Sequence, residues 1–195
     1  MISYPKNELI QKFTSTIGAM SVVEGIALYN ICLQAPDYGN WIELGSHKGR
    51  SSTMIASCIN KDIQLHLVEP EFKSIEWGDE VAEKLQPFNK YKNITFWADY
   101  STNVLPKFDE ISFLFVDSGD HGEEIVQSEK HLYQDKIISG GIIAFHDYGE
   151  KSQFTAVFKA YDELIATGNY EAMLKMLRRF NRRPFLTQKY IVNFC

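Results

Sequence analysis

The 195 residues read as one α/β domain, a doubly wound and mostly parallel sheet with helices on both faces. Three observations predict it. Short apolar runs alternate with amphipathic stretches, with no internal repeat, low-complexity tract or long linker, which is how successive βα units are written. Residues 112–116 are almost wholly apolar, as a strand covered on both faces should be. Five successive strand candidates end on or beside an acidic residue, at the edge where such sheets bind ligands.

Taken in order, the first strong helical signal is at Ser21. Ser21 and Glu24 form an S-x-x-E capping box, and Val22, Ile26, Tyr29 and Leu33 follow at helical spacing,. Pro36, Asp37 and Gly39 end that helix,. Residues 41–44 are the first strand. Residues 50–59 form a helix with Met54, Ile55, Cys58 and Ile59 on one face. Residues 63–68 are the second strand, closed by Pro70, and Trp77, Val81, Leu85 and Phe88 trace the next helix. The third and fourth strands are 94–98 and 112–116. Ile125, Val126, Leu132 and Tyr133 mark a helix, and Gly140 and Gly141 open a fifth strand at 142–145. Phe154, Val157, Phe158, Tyr161, Leu164 and Ile165 make the cleanest helical stripe, ended by Gly168 and Asn169,. The tail is read as two further strands, near 170–177 and 190–194. The chain is thus expected to be a single domain over 1–195, with a helical part at 1–35 and the ligand-binding, catalytic sheet at 36–195.

Composition narrows the partners. Twenty basic and 25 acidic residues give a net charge of −5, which repels polyanions, so nucleic acid is not an expected partner. One basic cluster stands out, Arg178, Arg179, Arg182 and Arg183. It reads as a solvated turn before it reads as an anion dock. Cys32, Cys58 and Cys195 are too few and too scattered for a disulfide framework, which suits a reducing, cytoplasmic setting. No apolar run nears the ~20 residues of a membrane span. Pro5, Lys6, Asn7 and Glu8 leave no secretory apolar core,. A small molecule is the expected partner, and self-association into a homo-oligomer is left open.

The chemistry gathers just after the strands. The first strand runs into Glu43-Leu44-Gly45-Ser46-His47-Lys48-Gly49-Arg50-Ser51-Ser52. Gly45 and Gly49 permit a sharp turn and close backbone approach, and a side chain at Gly45 is expected to fill the ligand channel. The helix after them offers free amides to an anionic group. Glu43 is a charge on an apolar strand and needs a partner, such as the amino group of an amino-acid-like ligand. Glu69 ends the second strand, where a carboxylate can accept both hydroxyls of a ribose. Asp99 ends the third, within reach of an adenine amino group, with Tyr100 as a wall. The fourth and fifth strands end in Val116-Asp117-Ser118-Gly119-Asp120-His121 and Phe145-His146-Asp147-Tyr148.

As an ordered set, Glu43-x-Gly45-x-x-x-Gly49 with Arg50-Ser51-Ser52, Leu67-Val68-Glu69-Pro70, residues 116–121 and residues 140–147 resemble the class I S-adenosylmethionine-dependent methyltransferases. The nearer likeness is to the branch of macrocin and cephalosporin-pathway O-methyltransferases, the more distant one to the catechol-type enzymes. The resemblance implies a Rossmann-like sheet of seven strands, the final one antiparallel. It implies S-adenosylmethionine as cofactor, with Glu43, Gly45 and Ser46 (and Gly49 and Ser51 in the same turn) at its methionine end, Glu69 at its ribose, and Asp99 and Tyr100 at its adenine. Two departures stand out. His47 replaces the central glycine of the commonest motif, and His146-Asp147 stands where catechol-type enzymes carry Asp-Asn.

Acceptor activation has two readings. Asp117 and Asp147 can converge on a divalent cation such as magnesium, or His146 or His121 can act as base with Asp147 orienting it. The acceptor pocket is expected from residues 1–20 and 148–187. Two other functions fit part of the pattern: a nicotinamide-dependent oxidoreductase, which would carry G-x-G-x-x-G and leave Glu43 unexplained, and a non-catalytic cofactor-binding protein.

Overall fold

The computed structural model describes residues 2–119, 122–147, 155–172 and 189–193. Two helices come first, α1 (Asn7–Ser15) and α2 (Val22–Cys32). Strands and helices then alternate: β1 (Gly39–Leu44), α3 (Arg50–Ala56), β2 (Ile63–Val68), α4 (Ile75–Leu85), β3 (Ile94–Trp97), the short α5 (Ser101–Val104), β4 (Ile111–Val116), α6 (Glu123–Tyr133), β5 (Ile137–Phe145) and α7 (Thr155–Ala166). Two short strands follow, β6 (Tyr170–Ala172) and β7 (Lys189–Asn193).

The body of the sheet is β3-β2-β1-β4-β5, and β7 and then β6 extend it beyond β5. Strand order reverses between β1 and β4, so the loops after these two strands part and leave a crevice at their carboxyl ends. Side chains alternate across the sheet, as the two-residue period of a strand requires. Trp41, Leu65, Leu67, Phe113 and Phe115 face one core layer with α1, α2 and α3, where Phe13, Leu28, Ile31 and Met54 pack. Ile42, Leu44, Leu114, Val116, Ile143 and Phe145 face the other, against Tyr133, Val157, Tyr161 and Leu164.

Most sequence boundaries hold to within a residue or two, and the differences have causes. Helix α1 has no side-chain cap and one buried residue, Phe13. Its docking shows instead in Gly25 of α2, where a Cβ would lie 2.6 Å from the Phe13 ring. Helix α3 ends at Ala56, and Cys58 and Ile59 pack from the turn beyond it. Phe88 likewise packs from beyond the end of α4. The glycine pair does not open β5 but lies within it. The register with β4 shifts between the pairs Ile111–Ile137 and Phe113–Ile142, and Gly140 takes φ +80° to absorb the bulge,.

The expected antiparallel final strand is corrected. Strand β7 pairs parallel with both β5 and β6. A parallel neighbour needs a connection of about a dozen residues or more, and β6 ends at residue 172 while β7 begins at 189,. The reading of strand from 173 to 177, the arginine cluster at 178–183 and Cys195 lie outside the described residues.

Candidate active site at the carboxyl edge of the sheet

Strands β2, β1, β4 and β5 leave the sheet in step. The Gly45 amide donates to Val68 O at 2.9 Å, the Asp117 amide to Leu44 O at 3.0 Å and the His146 amide to Val116 O at 3.1 Å. Their exits therefore open on one cavity of about 410 Å³. Its walls are the segment 17–20 between α1 and α2, the β1–α3 turn with Ser46, His47, Arg50 and Ser51, then Glu69, and on the far side Asp117, Gly119, His146 and Asp147.

Gly45 takes φ +84°, and a Cβ there would lie 2.1 Å from the carbonyl oxygen of Asp117. This corrects the expectation that a side chain would fill the ligand channel. It would strike the backbone leaving β4, so this glycine is required by the packing of two neighbouring loops. Gly49 caps α3 with φ +81° and packs toward Val81, away from the cavity. His47 also sits at positive φ, +44°, and its amide donates to Glu69 Oε2 at 2.8 Å.

Glu43 lies behind the turn. It is wholly buried and does not line the cavity. Its Oε2 accepts from Ser46 Oγ at 3.0 Å and, more closely, from Ser52 Oγ. Burial pushes its carboxyl up to about 7, against the serine hydroxyls, which hold it down. The protein's own hydroxyls meet Oε2 and fix the turn that forms the cavity wall, while Oε1 is buried without a hydrogen-bond partner among the described residues.

Glu69 faces the cavity with both oxygens anchored. Oε2 takes the His47 amide, and Oε1 takes the Glu71 amide at 3.1 Å. Asp99 and Tyr100 do not reach the cavity. Asp99 Oδ1 accepts from the Tyr100 amide and Asn103 Nδ2, both at 2.8 Å, so it tethers the first turn of α5. Those bonds, the Asn103 one foremost, hold its carboxyl below the usual range. Tyr100 is 60% exposed.

Strands β4 and β5 are neighbours, and their ends bring Asp117, His146 and Asp147 together. Their ligating atoms all lie within 4.8 Å of one another. His146 is buried, with Nδ1 3.2 Å from Asp117 Oδ1 and 3.1 Å from Asp147 Oδ2. Neither oxygen lies along the ring N–H direction, so Nδ1 has charge around it but no aligned hydrogen bond. Burial alone would pull the imidazole down. The two carboxylates override it and push it up to about 10. Asp147 sits at φ +61°, an uncommon conformation that turns its side chain back toward the histidine,. His121 and Asp120 lie outside the described residues.

Two residues here escaped the sequence reading. Glu24 read only as half of a capping box. It does cap α2, Oε2 accepting from the Ser21 amide at 2.7 Å, but its Oε1 also stands 3.8 Å from His146 Nε2. Arg50 read as the residue after a glycine. Its Nη1 donates to Thr16 O at 2.9 Å and its guanidinium stacks 4.6 Å from the Phe13 ring centroid, so it pins the 17–20 segment across the cavity. A cation directly after the ligand turn was the available signal for Arg50. Nothing local distinguishes the second role of Glu24.

A doubly wound sheet with its crevice lined this way is a Rossmann-like α/β fold of the methyltransferase kind. Residues 42–148 match the family described as methyltransferase domain, more than half of the chain, and the protein belongs to it. The search of curated proteins finds no match. Among solved structures, a SAM-dependent O-methyltransferase of Thermotoga maritima superposes with a TM-score of 0.61 at 14% identity, over 80% of this chain and 55% of that one. An O-methyltransferase from Bacillus cereus in complex with SAH gives 0.52 at 15%, over 66% of this chain and 62% of that one. A putative rRNA methylase from Clostridium thermocellum gives 0.54 at 16%, over 73% and 82%. The chain thus spans little more than half the length of the first of these, and at such identities the likeness is one of fold.

Proposed function

We propose that this chain transfers the methyl group of S-adenosylmethionine to a hydroxyl oxygen of a small-molecule acceptor. The observation that carries the reading is one cavity shared by the Gly45 turn, Glu69 and the Asp117–His146–Asp147 cluster. Ser46, Ser51 and the backbone of the turn hold the methionine end, with Glu43 and Gly49 shaping that turn from behind. Glu69 receives the ribose hydroxyls on the lone pairs its two amide bonds leave, since a carboxylate offers about four acceptor sites. For Asp99 and Tyr100 to meet the adenine, the loop at 99–101 has to close on the ligand.

The sulfonium carries the hard chemistry. The protein's part is to align the acceptor with the methyl group and to take its proton, which falls to Asp117 or Asp147, with His146 balancing their charge and His121 as the further candidate. The cluster also fits a divalent cation such as magnesium. A buried ring nitrogen without an aligned partner, between two carboxylates, is a suitable donor set. Asp117 and Asp147, with His146, would hold the ion, which would lower the acceptor's pKa.

A nicotinamide-dependent oxidoreductase is not favoured, because the family match and the Gly45-x-x-x-Gly49 turn both favour methyl transfer. A large RNA acceptor is disfavoured by the net charge of −5,. Among the described residues no helix is long and apolar enough to cross a membrane. Calorimetry with S-adenosylhomocysteine and with NAD tests the reading. Micromolar binding of the first, roughly −8 kcal/mol, is expected. Heat with NAD alone, or with neither on folded protein, overturns it.

A further inference from the structure

Glu129 lies in α6, outside the cavity, and is completely buried. A carboxylate without access to water is costly unless strong donors meet it. Two do, and they come from different loops. Ser101 Oγ and Ser118 Oγ each donate to the same Oε1 at 2.5 Å. Ser101 opens α5, directly after Asp99 and Tyr100. Ser118 directly follows Asp117, and its Cα lies 2.9 Å from where a Cβ on Gly45 would stand. One oxygen on a helix behind the sheet edge thus fastens the loop expected at the adenine to the loop that carries the acceptor-side carboxylate.

We infer that Glu129 is a positioning residue that couples these two loops, so that closure of the 99–101 loop on the cofactor and placement of Asp117 occur together. The inference rests on the reading of the cavity as an S-adenosyl site. It asks for more than a stabilising contact: either serine alone must influence ligand affinity, and only through Glu129.

The test is a set of S-adenosylhomocysteine affinities by calorimetry, with thermal midpoints recorded alongside. Ser101→Ala and Ser118→Ala should each weaken binding three- to tenfold. The double variant should be weaker by far less than the product of the two, because breaking either bond already uncouples the loops. In Glu129→Leu, which keeps the volume but removes the acceptor, binding should fall about tenfold and the serine substitutions should then be silent. Glu129→Gln retains an accepting oxygen and should stay within threefold of the native protein. Serine effects below twofold in the native background, effects that multiply, or lowered midpoints with unchanged affinity would each overturn the coupling. If Glu129→Leu does not fold, the serine pair alone decides. A native protein that binds no S-adenosylhomocysteine at all defeats the underlying reading instead.

Discussion

The two ends of the cavity hold their carboxylates in opposite ways. At one end Glu69 is set by two backbone amides, from His47 and Glu71, and each oxygen has a fixed direction. At the other, Asp117 and Asp147 crowd a buried imidazole at 3.1–3.2 Å, and Nδ1 is aligned with neither. Backbone donors prescribe geometry before any ligand arrives, which suits neutral hydroxyls that must be met at particular angles. A knot of side-chain charges prescribes sign rather than direction. It suits a step in which charge moves, because the arrangement can take a proton or a cation without rebuilding the backbone.

The sharpest way to break this comparison is at the residue where both ends meet. Gly45→Ala forces a Cβ into the Asp117 carbonyl and a side chain onto φ +84°. We expect a loss of about 3 kcal/mol or more, measured by urea denaturation. A variant of native stability that merely fails to bind ligand would restore the channel-filling view.

Glu43→Gln probes the buried carboxyl behind the turn. Its folded pKa of about 7 lies above the unfolded value of 4.5. The folded state therefore holds an extra proton between those values, and stability falls as pH rises through that window. Glutamine should gain up to about 3 kcal/mol on the native protein at pH 8 and nothing below pH 4.5. Parallel stability curves for the two proteins would contradict the assignment.

Glu69→Ala should weaken S-adenosylhomocysteine by about 1–3 kcal/mol, the cost of unpaired hydroxyls, while His146→Ala should leave that affinity within about twofold. The reverse ranking in calorimetry would exchange the roles of the two ends. The smallest effect is expected at Asp99, whose hydrogen bonds are to its own helix turn. Asp99→Ala should change affinity by less than about threefold. A tenfold loss would mean that the Asp99 carboxylate itself leaves its helix turn and bonds the ligand once the loop at 99–101 has closed.

The sheet was legible because its strands are apolar runs, near-continuous at 112–116 and alternating at 63–68, and because acids follow at their ends. The cluster of Asp117, His146 and Asp147 followed from one helix's worth of sequence between two buried strands. Other features were not local. Helix α1 is held by a single buried phenylalanine, a weak periodic signal, and its trace was a glycine 12 residues further on. Glu43 was rightly read as needing partners, but nothing in sequence separates a ligand's amine from two serine hydroxyls folded back onto it. Asp99 follows its strand as the other acids do, yet the Asn103 amide four residues later captures it first. The parallel course of β7 depends on how the chain returns to the sheet, which periodicity does not encode.

The fit of Phe13 against Gly25 has a kinetic meaning. The 17–20 segment walls the cavity, and the helix before it is moored by one buried ring, in a slot where α2 lacks a side chain, and by the Arg50 bond to Thr16 O. Local opening needs that ring and the Arg50–Thr16 bond to release, exposing far less surface than unfolding the sheet, so it is a low-cost excursion of the molecule,. On the proposed reading of the cavity, exchange of spent cofactor would follow how often this mooring slips, through the contact between a phenylalanine and a missing methyl group.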